Sequence, residues 1–181
     1  TPLARAVREG RSRPALEDET ITMFTSGMRL IEASGLRRYE ISNFAKDGME
    51  SRHNLKYWTS KPWLGVGPSA HSYLDGRRFG RPADLTRWQD WVRRGGDPME
   101  SDYTLPDPAD RAREALALAL RLTSGIDLAQ FARQWGYDPR EDRAGAIEEL
   151  RAGGILDNSP DALRLTANGM LLSNEALAKL T

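Results

Sequence analysis

Residues 51–58 read SRHNLKYW and hold one of the two histidines in a chain of 181 residues. If residues 52–58 are helical, His53 and Tyr57 share a face at a spacing of four. A neutral imidazole can bind a haem iron axially. Aromatic rings can lie against the flat macrocycle. Arg52 and Lys56 can pair with its propionates through charge-assisted hydrogen bonds. The same residues also suit a plainer role: a capped turn buried by Tyr57 and Trp58, with His53 as a hydrogen-bonding prop.

A second stretch, GVGPSAHS at residues 65–72, follows a short apolar run. Glycines let a backbone approach a ligand closely, and backbone N–H groups can grip a phosphate, a carboxylate or an adenine edge. A Gly-x-Gly is also an ordinary turn, and His71 alone is also an ordinary hydrogen-bonded residue.

The elements that must hold these stretches are legible in part. Residues 16–35 read as a helix, with Glu17, Asp18 and Glu19 in its first turn, where the dipole favours them. Its Ile21, Phe24, Met28 and Ile31 share one face, and Gly35 stops it. Residues 38–44, RYEISNF, alternate as a strand with Tyr39 and Ile41 on one side and Glu40 and Ser42 on the other. Helix, glycine and strand together suggest an α/β architecture entered part-way through. Residues 45–62 are loop-like, residues 63–66 suit a second short strand, and residues 84–94 a helix broken by Gly95-Gly96. Residues 99–106 read as a linker, which divides the chain into domains at 1–98 and 107–181.

The second domain is more strongly punctuated. Asp107-Pro108, Asp127 and Asp138-Pro139 each open a helix, and glycines at 125, 136 and 153–154 close them. Residues 155–156 and 163–165 flank the turn Asn158-Ser159-Pro160-Asp161, which reads as a hairpin. Thr166 caps a last helix. Three helices, a two-stranded wing and a closing helix make a winged-helix-like module.

Charge restricts what that module can do. Residues 46–96 carry ten basic and five acidic side chains, whereas residues 108–181 carry nine basic and eleven acidic ones. The helix that would read a major groove has three basic and four acidic residues, Arg140 to Arg151. A groove reader must neutralise phosphates, so nucleic acid is not the expected partner. The middle segment is the one suited to an anionic ligand. No run approaches the ~20 apolar residues of a membrane helix, and no signal peptide is visible. The sequence contains no cysteine, so it can supply no disulfide and no thiolate ligand for a cluster. A cytoplasmic location is expected. The chain opens Thr1-Pro2 without methionine, and is expected to be a piece of a longer protein.

Taken in order, YEISNFA (39–45), SRHNLKYW (51–58), LGVGPSAHSY (64–73) and LRLTANGMLLSN (163–174) resemble the HemW family of radical-SAM proteins, relatives of oxygen-independent coproporphyrinogen III oxidase. The HNxxYW spacing of His53, Asn54, Tyr57 and Trp58 is the most specific element. The resemblance implies the last elements of a radical-SAM (β/α) barrel followed by a helical, winged-helix-like C-terminal domain. It implies a [4Fe–4S] cluster on a CxxxCxxC loop upstream of Thr1, so no cluster ligand in this chain and no radical chemistry by the piece alone. It implies haem as ligand and haem-acceptor proteins as partners. His53 would be the haem ligand, with Arg52, Asn54, Tyr57 and Trp58 shaping the site. Gly65, Gly67, Ser69, Ala70 and His71 would lie at the S-adenosylmethionine contact, made largely by backbone. Two other readings stand beside it: a fragment of the oxidase itself, and a winged-helix module for protein contacts.

Overall fold

The computed structural model describes residues 1–105 and 107–181. Thr1 caps α1 (Pro2–Arg8), its hydroxyl accepting from the Ala4 N–H at 3.2 Å. Helix α2 (Glu17–Ala33) opens on three acids, and the Glu19 carboxylate accepts from the Leu16 N–H at 2.7 Å. Its apolar face forms as the spacing predicts but stays largely bare. Ile21 and Phe24 are each 42% exposed, and no residue of α2 is buried.

The strand expected over residues 38–44 is absent. Two short pieces, β1 (Arg37–Arg38) and β2 (Phe44–Ala45), pair antiparallel, and residues between them fold into a turn. Alternation set Glu40 on the side opposite Tyr39 and Ile41, and its side chain is fully buried. Its Oε1 accepts from the Ser42 N–H at 2.9 Å and from Asn43 Nδ2 at 2.5 Å, which bends the chain. The backbone of Tyr39 and Ile41 is instead bonded across to Thr123 and Arg121, at 3.0 Å each. This segment is a clasp on the second half of the chain.

Helix α3 (Arg52–Trp58) follows. Of the short strand expected over residues 63–66, only Trp63 pairs, and its partner is Tyr73, through N–H···O bonds of 2.8 and 2.9 Å. Tyr73 belongs to β3 (His71–Leu74), which forms a hairpin with β4 (Arg77–Gly80). The two-residue turn Asp75-Gly76 has φ of +51° and +72°, the twist that closes a tight antiparallel hairpin. Asp84 caps α4 (Leu85–Arg93), which lies within the helix expected over residues 84–94.

The segment expected as a linker pairs with the hairpin. A 3-10 turn covers Pro98–Ser101, Asp102 bridges to Phe79, and the Tyr103 N–H donates to the Arg78 carbonyl at 2.9 Å. It runs along the open edge of β4, whose unpaired groups attract it. Pro106, the last residue of that expected linker, lies outside the described residues.

The second half contains α5 (Pro108–Ala119), β5 (Ile126–Asp127), α6 (Leu128–Trp135), α7 (Pro139–Ala152), β6 (Ala162–Leu163), α8 (Ala167–Leu171) and α9 (Ser173–Leu180). Asp107, Asp127, Asp138 and Thr166 cap their helices as their types predict. The wing differs from a plain hairpin. Leu156 does bridge Leu165, but β6 pairs with β5, so a third segment joins the sheet. The closing helix is interrupted at Leu172 between α8 and α9. Leu116, Leu120, Leu128, Ile147, Leu156, Leu163 and Leu180 pack one core, and Ile41 from the first half packs against it.

Candidate functional site

Ser51 starts α3 by accepting from the Asn54 N–H at 3.3 Å. The helix then lifts His53 into solvent and sets its Nε2 2.9 Å from the Tyr57 hydroxyl. The two rings meet edge-on with centroids 4.9 Å apart. Tyr57 meets Trp63 at 4.6 Å, and Trp63 lies tilted against Tyr73 at 5.1 Å. An exposed imidazole thus stands at the end of a row of three larger rings. The i, i+4 spacing foretold the first contact. The rest depends on the Trp63–Tyr73 pairing, which is a tertiary event.

Asn54 and Trp58 face elsewhere. Asn54 Nδ2 donates to the Tyr39 hydroxyl at 3.4 Å. The Arg121 guanidinium sits 4.5 Å from the centre of the Trp58 ring, and Arg121 Nη2 is 3.9 Å from Glu40 Oε2. Trp58 therefore belongs to the joint between the two halves as well as to α3. Its ring borders an open cleft of about 460 Å³ with Lys61, Leu122, Phe131 and Trp135. Arg52 and Lys56 are exposed and make no ion pair among the described residues.

Residues 65–72 form a tight crossing. A Cβ on Gly65 would lie 2.2 Å from the His71 carbonyl oxygen, so only glycine fits there. The Gly65 N–H donates to Ser72 Oγ at 3.0 Å, the Ser69 N–H to the Pro82 carbonyl at 3.1 Å, and the Ala70 N–H to the Gly67 carbonyl at 3.4 Å. Gly67 and Ser69 adopt left-handed φ of +99° and +60°. Three of the N–H groups that the sequence offered to a ligand are thus committed internally. A ligand here would meet the remaining backbone and the exposed His71 side chain. His71 Nδ1 lies 2.9 Å from the Tyr103 hydroxyl, and the rings contact edge-on at 5.6 Å.

Each histidine therefore has a tyrosine hydroxyl as partner, and Tyr57 and Tyr103 line one groove of about 260 Å³ with Trp58 and Trp63. Arg78 and Glu114 complete its polar side and are joined as an ion pair across the two halves. Arg78 also lies 5.4 Å over the Tyr73 ring. Burial pushes the Tyr103 phenol above its ordinary range, with Arg78 opposing the shift. Nearby, the Thr104 hydroxyl and N–H, then Arg77, hold the Asp102 carboxyl down at about 2. Reading the sequence missed Trp63, Tyr73, Arg78, Tyr103, Glu114 and Arg121. The Asp75-Gly76 turn between alternating residues was the signal that could have found the hairpin carrying Tyr73 and Arg78.

Residues 107–172 match the family model of the HemN C-terminal domain. The heme chaperone HemW of Bacillus subtilis (strain 168) is 32% identical over 169 residues, covering 93% of this chain and 44% of that protein. The heme chaperone HemW of Mycobacterium tuberculosis (strain H37Rv) is 32% identical over 180 residues, covering 99% of this chain and 44% of its own length. This chain belongs to the HemW family. A HemW-family chain of this length spans less than half of those relatives. The mitochondrial radical S-adenosyl methionine domain-containing protein 1 of Danio rerio is 29% identical over 98% of this chain and 42% of that protein. A solved structure described as coproporphyrinogen III oxidase (HemN) from Escherichia coli, a radical SAM enzyme, superposes with a TM-score of 0.73. It shares 16% identity and covers 92% of this chain and 42% of that one, so the HemW-family chain has the fold of that portion. Among the described residues no helix is long and apolar enough to cross a membrane, and no group of three or more acidic or histidine side chains could hold a metal ion.

Proposed function

We propose that this chain is the C-terminal part of a protein that binds haem and hands it to acceptor proteins in the cytoplasm, with residues 51–58 as the haem seat. The carrying observation is the exposed His53 imidazole at the end of the Tyr57–Trp63–Tyr73 row. The residues suit the ligand. An accessible ring nitrogen can serve as axial ligand, flat rings offer stacking walls, and Arg52 and Lys56 supply cations for propionates. Bound haem would supply the iron centre; the chain's own residues orient it. Tyr57 holds the His53 ring through its hydroxyl, Asn54 fixes α3 against Tyr39, and Trp58 closes the seat toward the second half. In this reading residues 1–98 close a radical-SAM barrel and residues 107–181 form the appended winged-helix-like unit. Gly65, Gly67, Ser69, Ala70 and His71 meet S-adenosylmethionine, and the [4Fe–4S] ligands lie outside this chain.

Titration of the full-length protein with ferric haem tests the seat. Wild type is expected to give a Soret band that His53→Ala shifts or abolishes. An unchanged spectrum and affinity in His53→Ala would remove His53 as ligand. The shared HemN fold favours a second reading, a fragment of a coproporphyrinogen-decarboxylating oxidase. Robust decarboxylation by the reconstituted full-length protein with S-adenosylmethionine would place that reading first.

A further inference from the structure

The groove beside the aromatic row contains one cation and one anion, and they neutralise each other. Arg78 on β4 and Glu114 on α5 come from opposite halves of the chain, 36 residues apart. Their side chains are 19% and 36% exposed, so the pair sits at the groove wall within reach of solvent. One guanidinium nitrogen meets one carboxylate oxygen, Nη1 to Oε1. The planar two-point grip that a guanidinium can give a carboxylate is left unfilled by Glu114. The Arg78 guanidinium is meanwhile held over the Tyr73 ring, which fixes its plane. Tyr57, Trp63 and Tyr103 border the same groove.

We propose that Arg78 anchors a carboxylate of a planar aromatic ligand and that Glu114 is an internal substitute for that carboxylate, displaced when the ligand binds. The inference rests on the proposed tetrapyrrole seat and adds its polar anchor. A partly exposed pair of this kind contributes little to stability, so opening it leaves the fold intact. A ligand carboxylate that offers both oxygens replaces a one-point contact with a two-point one. Meanwhile the freed Glu114 side chain can turn toward solvent. The device makes the groove selective: a ligand without carboxylates must leave the Arg78–Glu114 pair closed.

Fluorescence titration of the full-length protein with zinc protoporphyrin IX and with its dimethyl ester tests this. Glu114→Gln removes the competing charge and is expected to tighten binding of the free acid by about 3–10-fold. Arg78→Gln is expected to weaken it by about 10-fold, and Arg78→Lys by less, because a lysine keeps the charge without the fork. The ester is expected to bind all these variants alike. His53→Ala is expected to weaken both probes, which separates the seat from the anchor. Unchanged or weaker binding of the free acid by Glu114→Gln overturns the substitute role. A parallel response of acid and ester to Arg78→Gln overturns the anchor. If both probes bind wild type and respond only to His53→Ala, the anchor fails while the seat stands. Failure of wild type to bind either probe overturns both.

Discussion

The two halves of the chain differ in how they are held together. Residues 107–181 wrap their own core, in which Leu116, Leu120, Leu163 and Leu180 are wholly inaccessible. Among the described side chains of residues 1–105, the buried apolar ones are Ala45 and Phe79, while Leu30, Met49 and Val66 are 74%, 75% and 87% exposed. The later half is stabilised by burial of apolar area. The earlier half is held by backbone pairing and by the clasp at Glu40. The candidate site lies in the earlier half and against the joint, so its geometry depends on the neighbour with the core. Ligand-binding segments are often drawn from such locally less stable parts.

Three measurements sharpen or break that contrast. The largest effect is expected from Leu120→Ala, which should cost about 2–5 kcal/mol in denaturant unfolding, while Leu30→Ala on α2 should change stability by about 0.5 kcal/mol or less. Equal costs would erase the distinction between the halves. Next comes the clasp. Glu40→Ala leaves the Ser42 N–H and Asn43 amide without their acceptor and should cost about 1–3 kcal/mol. Faster hydrogen exchange is expected at the amides of Ile41 and Thr123, which bond across the joint. If those two amides keep their protection, the clasp is not what joins the halves. The smallest effect is expected at Asp102. Its carboxyl falls from an ordinary 3.8 to about 2, so the folded state binds its proton more weakly than the unfolded state does. Its contribution is complete above the ordinary value and disappears as pH falls toward about 2. Exchange at the Thr104 amide, which bonds to Asp102 Oδ1, should speed up over that interval, and Asp102→Asn should flatten the profile.

Local signals in the sequence were reliable where local physics decides. Asp127 and Asp138 cap helices because a carboxylate can reach the N–H groups two or three residues on, whatever lies around it. The spacing of His53 and Tyr57 set their contact for the same reason. Residues 38–44 misled because their alternation reads as an extended strand, whereas the buried Glu40 carboxylate binds its own chain and turns it. The hairpin at residues 71–80 was missed although Asp75-Gly76 marks it. The pairs His71–Tyr103, Arg78–Glu114 and Trp58–Arg121 join residues far apart in the chain, and no spacing rule could bring them together.

Trp58 stands between two spaces. It borders the larger cleft with Phe131 and Trp135 and the smaller groove with Tyr57 and Trp63, and it carries Arg121 on its ring. A substitution there is expected to disturb the joint between the halves and the groove at once. A phenotype at position 58 is therefore ambiguous by construction, however invariant the residue proves among relatives. Removing the Tyr57 hydroxyl, which hydrogen-bonds to His53, is the cleaner genetic probe of the motif.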